Sequence, residues 1–76
     1  MTREEFLRQL DDLFELEAGT LTGDEPLNTF QAWDSMTVLG FIALLDEHFS
    51  LSVPTSAIMQ AETVNGLIEL VKERLN

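Results

Sequence analysis

The chain has no cysteine and one histidine, His48. Disulfides and thiolate metal sites are therefore excluded, and a lone imidazole does not build a zinc site. Basic residues are scarce. Four Lys and Arg stand against fourteen Asp and Glu, giving a formal net charge of −10 and a pI near 4.1. Phosphates repel such a surface, which argues against nucleic acid, and anionic membranes are disfavoured for the same reason. Basic protein surfaces are instead attracted and steered. Long apolar runs are also missing. The opening "MTREEFLRQL" is charged and amphipathic, with no apolar signal core, and no segment reaches membrane-spanning length. A cytoplasmic, free-standing protein is the expectation.

What is present suits one folded domain over residues 1–76. The 45% hydrophobic content and its clear periodicity argue against disorder, although a chain this short buries only a thin core. In "TREEFLRQLDDLFELE", Thr2 and Glu5 form a capping-box pattern. Phe6, Leu7, Leu10, Leu13 and Phe14 share one helical face, and Gly19 suits the stop. Asp11 and Asp12 fall outside that stripe, which predicts solvation for both. Residues 18–34 have no sustained period and read as a long loop, pinned by Leu21, Leu27, Phe30 and Trp33.

A second helix is predicted from Ser35 to about Ser50, with Val38, Phe41, Ile42, Leu45 and Phe49 as its apolar arc. Met36, Thr37, Gly40, Ala43, Leu44 and Glu47 fall on the other side, a face that is small and apolar where charge would be usual. A short third helix follows Pro54, and Thr63 caps a fourth running through "VNGLIELVKERL". The pattern is all-α: three main helices, one short helix and a long first loop. There are no internal repeats or low-complexity segments.

Candidate chemistry narrows to Ser35. His48 lies thirteen residues further along the same helix, roughly 20 Å at 1.5 Å per residue, too far to serve as its base. Two carboxylates in "GDE" (Gly23 to Glu25) make a weak ligand set for a divalent cation, so no metal site is predicted. No catalytic residues are predicted, and the chain reads as a non-enzyme. Serine is a favoured helix N-cap, the plainest role for Ser35. A helix N-terminus also receives phosphate well, and a phosphodiester-linked serine would sit comfortably there.

"WDSM" followed by "TVLGFIALLDEHF" resembles the motif of acyl and peptidyl carrier proteins, in which Asp-Ser-Leu/Met opens an amphipathic helix that ends in acid-acid-x-Phe. The resemblance extends over nearly the whole chain. It includes the turn from Phe49 to Thr55 into the third helix and the Thr63-Val64 start of the fourth. It implies a four-helix bundle of acyl-carrier type. It also implies that a separate magnesium-dependent transferase, reading Asp34, esterifies Ser35 with 4′-phosphopantetheine from coenzyme A. The arm's thiol then carries an acyl group as a thioester, a sulfur the chain itself lacks. The implied partners are that transferase, an acyl-loading ligase or synthetase, and acyl-processing enzymes, met by a monomer. Met36 would contact partners, and Phe41, Ile58 and Met59 would line an acyl-chain groove.

The chain departs from fatty-acid carriers on the exposed side of the second helix. Thr37 and Gly40 stand where those carry acids, Ala43 continues the small face, and only Asp46 and Glu47 remain acidic. Ala32 and Trp33 replace small residues before Asp-Ser. These departures point to apolar docking and to a specialised lipid, polyketide or other secondary-metabolite pathway, including those that carry amino acids. The competing reading is a small helical interaction module in which Ser35 is only a cap and the Thr37/Gly40/Ala43 face docks a helix.

Overall fold

The computed structural model describes residues 1–76. It has four α-helices and no strand: α1 (Arg3–Leu13), α2 (Ser35–Phe49), α3 (Thr55–Met59) and α4 (Val64–Glu69). Single 3₁₀ turns occur at Leu27–Thr29 and Lys72–Arg74.

The capping box opens α1 as its pattern predicts. The Thr2 hydroxyl accepts the Glu5 N–H at 3.1 Å, and the Glu5 carboxylate accepts the Thr2 N–H at 2.8 Å. Phe6, Leu7, Leu10 and Phe14 are buried, with Leu13 partly so. Two expectations fail here. The helix stops at Leu13, well before Gly19, because Glu15 turns left-handed at φ 61°. That reversal returns the Leu16 N–H to the Asp11 carbonyl at 2.8 Å. Asp11, expected in solvent, is only 1% exposed. Its carboxylate accepts the N–H groups of Gly19 and Leu21 at 2.8 and 2.9 Å, and Arg8 Nε lies 3.0 Å away as an ion pair. The returning loop has backbone donors to satisfy, and a carboxylate near the helix end is placed to take them.

The long loop is knitted to the start of α4. Leu27 N–H donates to the Glu62 carbonyl at 2.9 Å, Val64 N–H to Glu25 at 3.0 Å and Asn65 N–H to Gly23 at 2.7 Å. Arg3 donates to the Thr22 carbonyl at 3.1 Å and to Asn65 Oδ1 at 2.7 Å. Leu21 and Leu27 are buried, and Phe30 and Trp33 pack against the core. The "GDE" carboxylates are engaged within this network. Glu25 accepts the Thr22 and Gly23 N–H groups at 2.9 and 2.8 Å, and Asp24 accepts the Asn65 amide at 3.1 Å.

Helix α2 lies across this frame with Val38, Phe41 and Leu45 inward. Phe6 meets Phe41 edge-on at 6.2 Å between centroids and Phe49 at 5.9 Å. Ile58 of α3 and Val64, Leu67 and Ile68 of α4 complete the core. Thr63 caps α4 by accepting the Gly66 N–H at 3.3 Å. The fourth helix is shorter than its apolar pattern predicts. From Leu70 onward the bonds tighten, Leu70 N–H to Leu67 at 3.2 Å and Val71 N–H to Ile68 at 3.0 Å. The β-branched Val71 leaves helical geometry at φ −124°. A 3₁₀ turn then lays Leu75 on the core and brings the Asn76 N–H to the Met1 carbonyl at 2.9 Å.

Candidate functional site

An aromatic cluster delivers the loop to the head of α2. Phe14, just past α1, stands 5.2 Å from Phe30 and 5.5 Å from Trp33 between ring centroids. Trp33 in turn meets Phe41 edge-on at 6.2 Å. Pairs of this kind contribute about 0.5–1.5 kcal/mol beyond their buried area. They fix Trp33, and the next two residues follow from it.

Asp34 caps α2. Its backbone is extended at φ −120°, and its Oδ1 accepts the Thr37 N–H at 2.9 Å. This corrects the expectation that Ser35 caps. Asp and Ser are comparable caps, but only Asp adds the negative charge that a helix N-terminus favours. The Thr37 N–H holds the Asp34 carboxyl below the usual carboxylate range. Ser35 is the first helical residue. It is exposed, and its hydroxyl makes no hydrogen bond to the protein.

Ser35 lines a cleft of about 420 Å³. Trp33, Val38 and Leu39 stand on one side of it, and Thr55 and Met59 on the α3 side. Around this hydroxyl the acidic chain exposes three large apolar side chains: Met36 at 79%, Leu39 at 64% and Met59 at 62%. The amides of Ser35 and Met36 have no backbone acceptor. The Met36 N–H leans toward the Asp34 carboxylate, and a phosphate ester on Ser35 would stand at the positive end of the helix, so the residues present fit such a group. His48 is exposed near the far end of α2. The site offers an exposed hydroxyl in a cleft that the neighbouring Asp34 also lines.

The other residues singled out in the sequence divide. Met36, Ala43 and Glu47 are exposed on α2. Gly40 is not on that open side, since a Cβ there would come 3.0 Å from Leu13 Cδ1 of α1. Leu44 packs against the core and Thr37 is half-buried. Phe41 and Ile58 are 0% exposed and belong to the closed core, so of the three expected groove residues only Met59 lines an open cleft. Leu39 was not anticipated. Its signal was a leucine on the side opposite the buried arc, three residues beyond Met36.

Comparison with known proteins gave one match. The family model for the phosphopantetheine attachment site matches residues 6–71. No curated protein and no solved structure gave a significant match. With nearly all of its length matched, and with a free serine hydroxyl at the head of its central helix, the chain belongs to the phosphopantetheine-attachment family of acyl and peptidyl carriers, which hold 4′-phosphopantetheine covalently on a serine.

Proposed function

We propose that the chain is a carrier whose attachment residue is Ser35. The observation that supports this most is the division of roles at the head of α2: Asp34 holds the Thr37 amide, and the neighbouring hydroxyl is exposed and free. In loading, Ser35 Oγ forms the phosphodiester with the phosphopantetheine phosphorus of coenzyme A. The hydroxyl proton is lost and adenosine 3′,5′-bisphosphate leaves. A separate magnesium-dependent transferase performs this step and reads Asp34. The arm supplies a thiol that carries an acyl group as a thioester. The chain orients and presents the arm, raising the cargo's effective concentration at each partner, and catalyses nothing itself.

We assign residues 1–76 to one carrier domain acting as a cytoplasmic monomer. No helix is long and apolar enough to cross a membrane. Its partners beyond the transferase are a loading ligase or synthetase and acyl-processing enzymes. The exposed stripe of Met36, Leu39 and Ala43, with Glu47 at its far end, supports docking by apolar contact and a specialised rather than a general fatty-acid pathway. The second reading is a small helical interaction module; the cap it gives to Ser35 is held by Asp34.

The test is intact mass after incubation with coenzyme A, magnesium and a promiscuous phosphopantetheinyl transferase. One phosphopantetheine on the wild type and none on Ser35→Ala is the expected result. A folded wild type that gains no mass, or a Ser35→Ala variant that does, overturns the assignment.

A further inference from the structure

The chain contains a single Asn-Gly pair, Asn65–Gly66, in the first turn of α4. The carrier role makes no use of it. Each half is nevertheless fixed by its contacts. Asn65 Oδ1 accepts from Arg3 at 2.7 Å, and its Nδ2 donates to Asp24 Oδ1 at 3.1 Å. A side-chain amide does both, whereas a carboxylate does only the first. At Gly66 a Cβ would stand 3.1 Å from Ala61 Cβ and 3.3 Å from Ala61 Cα. In a flexible chain such a pair is chemically labile, because glycine has no Cβ to shield its nitrogen. Here both reacting groups are tied elsewhere. The Gly66 N–H donates to the Thr63 carbonyl at 2.9 Å, and the Asn65 N–H to the Gly23 carbonyl at 2.7 Å. The guard is thin, since the Arg3 and Asp24 bonds to Asn65 lie in exposed surroundings, where local opening costs least.

We propose that Asn65 is a site of covalent modification, converting to aspartate and isoaspartate through a succinimide at a rate set by the seam between the loop and α4. The Gly66 nitrogen loses its proton and bonds to Asn65 Cγ. The Cγ–Nδ2 bond breaks and ammonia leaves. Water then opens the ring. Attack at Cγ gives aspartate, and attack at the main-chain carbonyl carbon gives isoaspartate, whose backbone runs through Cβ and Cγ. Either product sets a carboxylate against Asp24 in place of a donor. Isoaspartate also lengthens the main chain beside the Asn65–Gly23 bond. The reaction therefore loosens the seam that restrained it.

The test holds the full chain in warm, mildly alkaline buffer, folded and in urea. Conversion at Asn65 is followed by peptide mass and by methyl transfer from an isoaspartyl methyltransferase. The wild type is expected to react about tenfold or more slowly folded than in urea. Arg3→Ala removes the bonds to Asn65 and Thr22 without altering α4, and is expected to speed the folded reaction several-fold. Asp11→Ala, which loosens the other end of the loop, is expected to leave the rate near wild type. The isoaspartyl chain is expected to exchange the Leu27 and Val64 amides several-fold faster than the parent. Equal rates in the folded chain and in urea, or no conversion at Asn65 in urea, overturn the proposal without the need of any variant. Equal acceleration by Arg3→Ala and Asp11→Ala overturns the role of the seam, and unchanged amide exchange in the isoaspartyl chain overturns its loosening.

Discussion

The Asp34 carboxylate accepts the Thr37 amide at 2.9 Å, and the hydroxyl of Ser35 beside it is left without a hydrogen bond. Either residue type can cap a helix. Placing the carboxylate one position earlier satisfies the first turn and frees the hydroxyl for covalent chemistry.

This separation has a consequence for stability. Ser35→Ala loses no hydrogen bond and gains a better helix former. Its urea midpoint is expected to lie within about 0.5 kcal/mol of wild type. Asp34→Ala removes the cap and is expected to be clearly less stable than Ser35→Ala in the same titration. A loss of about 1 kcal/mol in Ser35→Ala, with Asp34→Ala near wild type, would make Ser35 the cap after all.

Acid is expected to weaken the fold through three carboxylates that hold backbone amides. The Thr2 N–H keeps Glu5 below its ordinary range, and the Thr37 N–H does the same for Asp34. At Glu25 burial pushes upward, but the N–H groups of Thr22 and Gly23 outweigh it and the net direction is down. Each group titrates lower in the folded chain than in the unfolded one. Its contribution is therefore fully present above the ordinary carboxylate value of about 4, and is lost as pH falls through the depressed value. Urea midpoints measured at about 0.15 M salt, where distant charges are screened, are expected to fall below about pH 4. Glu25→Gln is expected to lie below wild type at neutral pH, with the gap closing in acid. A gap that persists in acid would trace the loss to packing rather than to charge.

Much of this arrangement was legible from local patterns. The stripes of α1 and α2 follow helical spacing, and Thr2 and Thr63 announce their caps within three residues. What escaped was set by distant chain. Asp11 looks like a surface acid until residues 19 and 21 return to it. Gly40 belongs to a small outer face on a wheel, and only the approach of Leu13 turns it inward. The stripe Val64, Leu67, Ile68, Val71 and Leu75 fits both a continuous helix and one that tightens after Glu69. Phe41 lies on the apolar arc and Ile58 is expected to line a groove, but residue identity does not say whether the space between the helices is open or filled. At Asp34 and Ser35 two good caps are adjacent, and propensity does not choose between them.

Asp11 and Asp12 are neighbours in sequence and opposites in structure. Asp11→Ala leaves the Gly19 and Leu21 amides without their acceptor and removes the ion pair to half-buried Arg8. Of the two amides only that of Leu21 is buried; an unsatisfied buried group costs about 1–3 kcal/mol, and with the lost ion pair a total loss of roughly 2–4 kcal/mol is expected. Asp12→Ala, at an exposed site, is expected to stay within about 0.5 kcal/mol of wild type. Chemical denaturation of the pair checks this directly, and similar values for the two would contradict the burial of Asp11.

Gly23 holds the loop to α4 in a way no other residue can. Its φ of 121° lies where side chains are strained, and a Cβ there would collide with Asn65 Oδ1 and Arg3 Nη2. Those two atoms are hydrogen-bonded to each other at 2.7 Å, and the Gly23 carbonyl itself accepts the Asn65 N–H at 2.7 Å. Gly23→Ala therefore strains the backbone and parts the Arg3–Asn65 bond together. The backbone strain alone is of order 1–3 kcal/mol. Because Leu27 pairs with Glu62 and Pro26 with Thr63 on the same seam, the damage is expected to spread there. Hydrogen exchange should speed up at the amides of Leu27, Val64 and Asn65 by tenfold or more, about 1.4 kcal/mol or above, while α1 amides such as Leu10 change less. Exchange that accelerates equally in α1 and at the seam would mean that Gly23 supports the whole fold rather than the attachment of the loop.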